Sequence, residues 1–345
     1  MPIDWFKPDS DRKRIVGIGS ALVDILVPTN DAFVAQTGVP KGGMIYFDPP
    51  VIDQVLKAAG AVPQIVPGGA ACNTITGVAQ LGGKTRFLGK RGRDDFGEQF
   101  GAALVRHGVD THLVDSATPT GRVLSLITPD SQRTMLTYLG ASSEMRPDEV
   151  LSAAFKDCAV ALIEGYLVYN HDLFRHAMQS AHEAGARIAL DLASFTVVEE
   201  NLQTLTSIVT RYVDILIANE DEARAFTGQK DEMTALKMLT EQAELAVVKL
   251  GARGSLISFG DQTLDIPAHG EGPVVDTTGA GDLWAAGFLH GLVAGRPLAQ
   301  CGQLASVCGY EVCRVVGASI PEDGWQRIRP IAAIQPEHFG RKEIS

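Results

Sequence analysis

No apolar run in this 345-residue sequence approaches the roughly 20 residues needed to cross a bilayer; stretches such as Ala159 to Ile163 and Leu245 to Val248 are only long enough for buried strands. A membrane span is therefore not expected. The first dozen residues set Asp4, Lys7, Asp9, Asp11 and Arg12 around Trp5 and Phe6 and lack the apolar core of a secretion signal, so a cytosolic location is expected. Cysteine is scarce: the five residues are odd in number and form no Cys-x-x-Cys, which argues against a disulfide framework or a structural zinc site and for reduced, mostly buried thiols. Positive charge is in deficit. A formal charge of −11 argues against the broad basic face that binds a nucleic-acid backbone, so a polyanionic ligand must be held by helix N-termini, a few placed cations or a divalent metal.

Other absences narrow the chemistry. There is no His-Glu-x-x-His zinc spacing, and His171, His176 and His182 are expected on helix surfaces. Gly83-Lys84-Thr85 looks like the end of a Walker phosphate loop, but the glycine required five residues earlier is Val78. Gly17-Ile18-Gly19 lacks its third glycine because Leu22 stands there, which argues against a dinucleotide fingerprint and a nicotinamide-dependent dehydrogenase.

What is present is an alternation of short apolar runs and amphipathic stretches. Arg14 to Gly19, Thr85 to Leu88, Ala159 to Ile163, Arg187 to Leu190, Val213 to Ile217 and Leu245 to Val248 read as buried strands. Helical spacing lies between them, as in Asn73 to Leu81 and Phe96 to His107. This order predicts a doubly wound, mostly parallel sheet in three α/β/α layers. Arg122 to Thr128 and Thr134 to Leu139 flank Pro129-Asp130-Ser131-Gln132 and read as a hairpin. Gly254 to Ser258 and Gln262 to Ile266 read as another, followed by helices from about Gly279 and Pro297. With no repeat or linker, the expectation is one domain over 1–345, carrying a small β lid from about 24–50 and 111–140.

The most informative segment is Val275-Asp276-Thr277-Thr278-Gly279-Ala280-Gly281-Asp282, entering a helix at Leu283-Trp284. Small residues let backbone amides at a helix start approach an anion, and the Asp282 carboxylate lies beside that cradle. Upstream, Gly68-Gly69-Ala70-Ala71-Cys72-Asn73 puts a diglycine before a polar amide that can both donate to and accept from a sugar hydroxyl.

Together these two segments resemble the paired signatures of the ribokinase-like, or PfkB-type, carbohydrate and nucleoside kinases, and the likeness runs from Ile15 to about Ile320. The resemblance implies an ATP-dependent phosphotransferase using Mg²⁺. Asp282 would be the general base, with Gly279, Ala280 and Gly281 on the phosphoryl oxygens and Arg133 reaching the transferred group. Asp24 resembles the carboxylate that grips substrate hydroxyls, Gly42 and Gly43 the flap edge, and Gly68, Gly69, Asn73 and Glu164 join the substrate set. Asn219 and Glu222 resemble an Asn-x-x-Glu element that orders the metal through water; Lys249, Gly251, Gly254 and Thr278 would border the nucleotide. Asp276 and Thr278 lie where some relatives bind a monovalent cation such as K⁺.

The opening Gly19-Ser20-Ala21-Leu22-Val23-Asp24-Ile25 is more similar to adenosine-kinase-like members, so adenosine leads as acceptor, with Leu22, Phe47 and Tyr166 as candidate base contacts. Glu164-Gly165-Tyr166 departs from the apolar segment expected there, and Glu164 suits a sugar hydroxyl, so a ribokinase- or fructokinase-type enzyme stays open. A catalytically silent nucleotide-binding regulator is the reading from another class. Monomer and homodimer both remain open.

Overall fold

Residues such as Cys158-Ala159-Val160-Ala161-Leu162-Ile163 can be apolar without alternation only if both faces of their strand are covered. The computed structural model, which describes Trp5, residues 11–130 and residues 132–333, shows this arrangement. Ser131 in the hairpin turn, and residues 1–4 and 6–10 read above for a leader, lie outside the described residues.

Fourteen strands are present among the described residues: β1 (Arg14–Ile18), β2 (Leu22–Pro28), β3 (Met44–Tyr46), β4 (Gln64–Gly68), β5 (Lys84–Gly92), β6 (Asp110–Ser116), β7 (Gly121–Ile127), β8 (Arg133–Tyr138), β9 (Cys158–Glu164), β10 (Arg187–Asp191), β11 (Ile215–Asn219), β12 (Leu245–Lys249), β13 (Ser255–Phe259) and β14 (Gln262–Ile266). The helices are α1 (Asp31–Gln36), α2 (Pro49–Ala59), α3 (Ala70–Gln80), α4 (Asp95–Arg106), α5 (His171–Glu183), α6 (Phe195–Tyr212), α7 (Glu220–Thr227), α8 (Glu232–Thr240), α9 (Ala280–Val293), α10 (Leu298–Val312) and α11 (Glu322–Ala332).

Nine strands form the larger sheet in the order β14-β13-β12-β11-β10-β9-β1-β5-β6. It is parallel from β6 to β12, and β13 and β14 add an antiparallel hairpin at one edge. Alternate strand residues feed two cores. Val160, Leu162, Ile215, Ile217, Leu245 and Val247 pack with α3, α9, α10 and α11 on one face. Ala161, Ile163, Leu216, Ala218, Ala246 and Val248 pack with α5 to α8 on the other. Each fully buried Val, Leu, Ile or Phe contributes about 1.5–3 kcal/mol, which makes this two-sided burial the main force holding the strands in place.

The smaller sheet has the order β3-β8-β7-β2-β4. It draws on residues 22–28, 44–46, 64–68, 121–127 and 133–138, so β4 joins it, while β6, inside the expected lid range, pairs instead with β5 in the larger sheet. Alternation is strict here. Val23, Ile25, Val27, Leu124, Leu126 and Leu136 point into the core, and Leu22, Asp24, Val123, Arg133, Met135 and Thr137 line a cavity on the opposite face. All five cysteines are buried and free. His176 departs from the surface expectation: it is half-buried, with Nε2 3.1 Å from the Val150 carbonyl oxygen.

Candidate functional site

Four adjacent parallel strands end on a polar residue: Glu164 closes β9, Asp191 β10, Asn219 β11 and Lys249 β12. Strand order reverses where β1 leads to β5 on one side and neighbours β9 on the other. In open α/β sheets the crevice beyond the carboxyl ends at such a switch point is where ligands bind. Here Glu164 spans that point, its Oε2 accepting from the N–H of Ala71 at 3.1 Å and of Ser20 at 3.4 Å.

The start of α9 faces these strand ends. Gly279 is its N-cap with φ 72°, a left-handed conformation that glycine adopts without penalty; the Ala318 Cβ would also lie 2.6 Å from any Cβ added there. Asp282 is the third residue of the helix, and from Leu283 to Leu289 every residue is buried. The buried run anchors the helix, so its positive N-terminal end is fixed in space. Lys249 Nζ lies 2.9 Å from Asp191 Oδ2 and would be 3.1 Å from a Cβ on Gly281, which puts an ammonium beside the first helical turn.

Asp282 is half-buried and lines the cavity beneath the smaller sheet, a space of about 510 Å³. Asp24, Gly69, Arg133, Glu164 and Thr278 line it too. Gly68 lies just outside, and a Cβ there would come within 2.6 Å of the Asp24 carboxyl, so the glycine makes room for the carboxylate. The Arg133 guanidinium donates to Ser125 Oγ at 2.7 Å. Gly42 and Gly43 sit at the outer edge of the smaller sheet, hydrogen-bonded to Thr134 Oγ and to the Met135 N–H, and it is Met44 and Tyr46 after them that reach the cavity. A larger, shallower hollow of about 880 Å³ lies between α8 and the β13–β14 turn and contains none of the candidate residues.

Burial is the first cause of four unusual carboxyl groups. It pushes Asp282 up to about 6 against the Asn73 hydrogen bond, with Asp191 adding to the rise and Lys249 opposing it. Asp24 goes up to about 6 against Arg133, and Glu164 to about 7 against the hydrogen bonds from Ala71 and Ser20. Glu222 rises to about 7 against Lys249. Burial opposes the Lys249 ammonium, yet the Asp191 and Glu222 charges outweigh it and raise its pKa. Three of these carboxyls, Asp24, Glu164 and Asp282, line the same cavity, the kind of clustering found where protons are transferred.

Some expected residues do other work. Asn73 is not on the cavity wall; its amide donates to Asp282 Oδ2 at 2.9 Å. Asn219 and Glu222 cap α7 reciprocally, through Asn219 N–H to Glu222 Oε2 at 2.8 Å and Glu222 N–H to Asn219 Oδ1 at 2.8 Å. Asp276 is buried, its Oδ1 accepting from Thr278 and its Oδ2 from the Gly317 N–H; both oxygens close a loop. Gly251 and Gly254 shape the turn after β12, with φ 56° and 97°. Of the candidate base contacts, Leu22 and Tyr166 line the cavity, whereas Phe47 packs on the core. Reading by motif missed Asp191 and Thr137. Asp191 could have been found as a carboxylate ending an apolar strand, and Thr137 by counting alternate residues from Arg133.

Comparison with known proteins agrees with this fold. The sequence model described as pfkB family carbohydrate kinase matches residues 42–324. A crystal structure of a probable sugar kinase protein from Rhizobium etli CFN 42 is 30% identical, covers 94% of this chain and 99% of its own, and superposes with a TM-score of 0.86. The adenosine kinase of Sinorhizobium meliloti is 33% identical, with 92% and 99% coverage and a TM-score of 0.85. Probable fructokinase-4 of Arabidopsis thaliana is 29% identical over 80% of this chain and 92% of its own.

Proposed function

Because the chain belongs to the pfkB family of carbohydrate kinases and is thereby an ATP-dependent sugar or nucleoside kinase, we propose that it phosphorylates the hydroxymethyl group of a small acceptor, adenosine first, with Asp282 as general base. The observation that carries this reading is the Asp282 carboxylate itself, set at a glycine-capped helix start and open to a cavity of acceptor size.

Bound Mg-ATP supplies the phosphoryl group and the metal that offsets its charge. Asp282 takes the proton of the acceptor hydroxyl, and a pKa near 6 suits a base at neutral pH. The Gly279 and Gly281 amides and the Lys249 ammonium face the phosphoryl oxygens, whereas the Ala280 amide, expected to join them, already donates to the Thr277 carbonyl at 3.1 Å. Glu222, already accepting from Asn219 through both oxygens, keeps further lone pairs and would help hold the metal through water. For a monovalent cation the support is weaker, since both Asp276 oxygens already accept hydrogen bonds. From the smaller sheet, which acts as a lid that excludes water, Asp24 holds the acceptor and Arg133 reaches the transferred phosphoryl group. The lid belongs to a single kinase domain acting in the cytosol on a small molecule; no helix among the described residues is long and apolar enough to cross a membrane.

Adenosine is favoured by the span of the lid. Strand register puts Asp24, Val123, Thr137 and Tyr46 in one row across β2, β7, β8 and β3. With strands about 4.8 Å apart, Asp24 and Thr137 are about 10 Å apart, wider than one sugar ring and suited to a ribose with a base attached. Tyr46, Tyr166 and Tyr169 stand at that end of the cavity, where rings stack. One observation favours a sugar instead: the buried Glu164 carboxylate faces the same space and fits a further hydroxyl. A coupled ADP-release assay with Mg-ATP against adenosine, other nucleosides, ribose and fructose separates the two. Adenosine turnover at least tenfold above every free sugar is expected; the reverse order installs the sugar reading, and no release with any acceptor removes Asp282 as a base.

A further inference from the structure

Asp191, at the end of β10, takes no part in the mechanism above, yet its two oxygens reach both halves of the site. Oδ2 holds Lys249 Nζ at 2.9 Å, with side chains of both residues largely buried. Oδ1 accepts from the Ala193 N–H at 3.1 Å. Ala193 lines the acceptor cavity and has φ 68°, alone among the described non-glycine residues in having a positive φ. A side-chain-bearing residue holds that conformation only where its surroundings enforce it, and such strain gathers at functional sites.

We propose that Asp191 is a positioning residue that ties the phosphoryl side of the site to the acceptor side. It pins the Lys249 ammonium beside the start of α9 and fixes the strained turn that walls the cavity. The proposal rests on the kinase reading. Without Asp191, a lysine on a flexible four-carbon stem would be drawn toward the remaining carboxylates, Glu222 and Asp282, which already interact with it. The ammonium would then neutralise the base instead of facing the phosphoryl group. Groups facing Asp282 come from every element around it: Asn73 on α3, Asp24 on the smaller sheet, Glu164 on β9, Asp191 on β10 and Lys249 on β12. Asp191 is a negative member of that set, so its charge also keeps Asp282 basic.

The test is the pH dependence of kcat for wild type, Asp191→Asn, Asp191→Glu, Lys249→Met and the Asp191→Asn/Lys249→Met double variant, with folding followed by thermal denaturation. Misplacement of a reacting-centre group by about 1 Å costs on the order of 100-fold. Asp191→Asn should lower kcat about 10- to 100-fold and move its acid limb to lower pH. Asp191→Glu should keep the limb in place with a smaller loss. The double variant removes the ammonium together with its Asp191 partner, leaving no buried lysine without its closest carboxylate, and so should fold even where Asp191→Asn does not; its kcat should be no lower than that of Lys249→Met, because the two residues act as one unit. An active wild type with Asp191→Asn within twofold and its limb unmoved, or with losses that multiply in the double variant, overturns the proposal alone. A wild type that phosphorylates no acceptor removes the kinase reading and this proposal together.

Discussion

The side-chain amide of Asn73 donates to Asp282 Oδ2 at 2.9 Å, and the neighbouring Thr74 hydroxyl shares its one proton between the Asp282 and Ala70 carbonyls, each at 3.1 Å. One turn of α3 therefore grips both the side chain and the backbone of the candidate base. Two helices whose contact is otherwise apolar are locked in register at the residue where proton transfer is proposed. The hydrogen bond stabilises the ionised carboxylate, so Asn73 both aims the base and limits the rise that burial gives its pKa.

Replacing Asn73 by Ala removes that donor. A hydrogen bond to a charged group is worth about 1.5–3 kcal/mol, and one pKa unit is about 1.4 kcal/mol, so the acid limb of kcat should move up by about one pH unit. Loss of orientation should lower the plateau about tenfold or more. A pH–rate profile with its limb unmoved would remove Asn73 from this role.

Much of the molecule was legible in the sequence. Ala159 to Ile163 and Leu245 to Val248 read as strands because both their faces are covered, and the hairpin expected from Arg122 and Thr134 onward forms as β7 and β8. The helix start at Gly279 was legible because glycine, small residues and a carboxylate are contiguous there. Contacts across the chain were not. Asn73 meets Asp282 over 209 residues and Lys249 meets Asp191 over 58, separations that no local pattern encodes. Phe47 failed as a base contact for a simpler reason: side chains alternate along a strand, and with Met44 and Tyr46 on the cavity, the residue after Tyr46 turns to the core.

Thr137 is buried on the cavity wall, and among the described residues its Oγ1 has no hydrogen-bond partner. An unpaired buried hydroxyl costs about 1–3 kcal/mol, so the isosteric Thr137→Val should leave the melting temperature of the free protein unchanged or higher. If the hydroxyl reads the acceptor, the same variant should raise the acceptor KM about 10-fold with kcat nearly constant. A melting temperature lowered by several degrees would instead mean that the hydroxyl is structural.

The thiols give an independent check on packing. Burial pushes the Cys158 and Cys301 thiols up to about 12 and raises those of Cys72, Cys308 and Cys313 as well. Only the thiolate reacts, so native protein at pH 8 should release no chromophore from an aromatic disulfide reagent over minutes. All five cysteines should react once the chain is denatured. Fast labelling of even one in the native state would show that its surroundings open.

Asp282→Asn should separate activity from stability. Without a carboxylate to accept the proton, kcat should fall about 100- to 10,000-fold. Stability should move the other way, and the sign follows from the direction of the pKa shift. The group titrates near 6 in the folded chain, above its ordinary value of 3.8, so between those pH values the folded state binds more protons than the unfolded state. Its contribution is therefore fully present below about pH 4, declines as pH rises through 6, and is flat beyond. The amide carries no charge and escapes that decline. Allowing for water at the half-buried carboxylate, the variant should gain about 1–2 kcal/mol over wild type at pH 7.5 relative to the difference at pH 4. Denaturant titrations at the two pH values measure this directly. An equal difference at both would mean that the Asp282 carboxylate is not held at a cost in the folded chain, and the pKa argument for it as the base would fail.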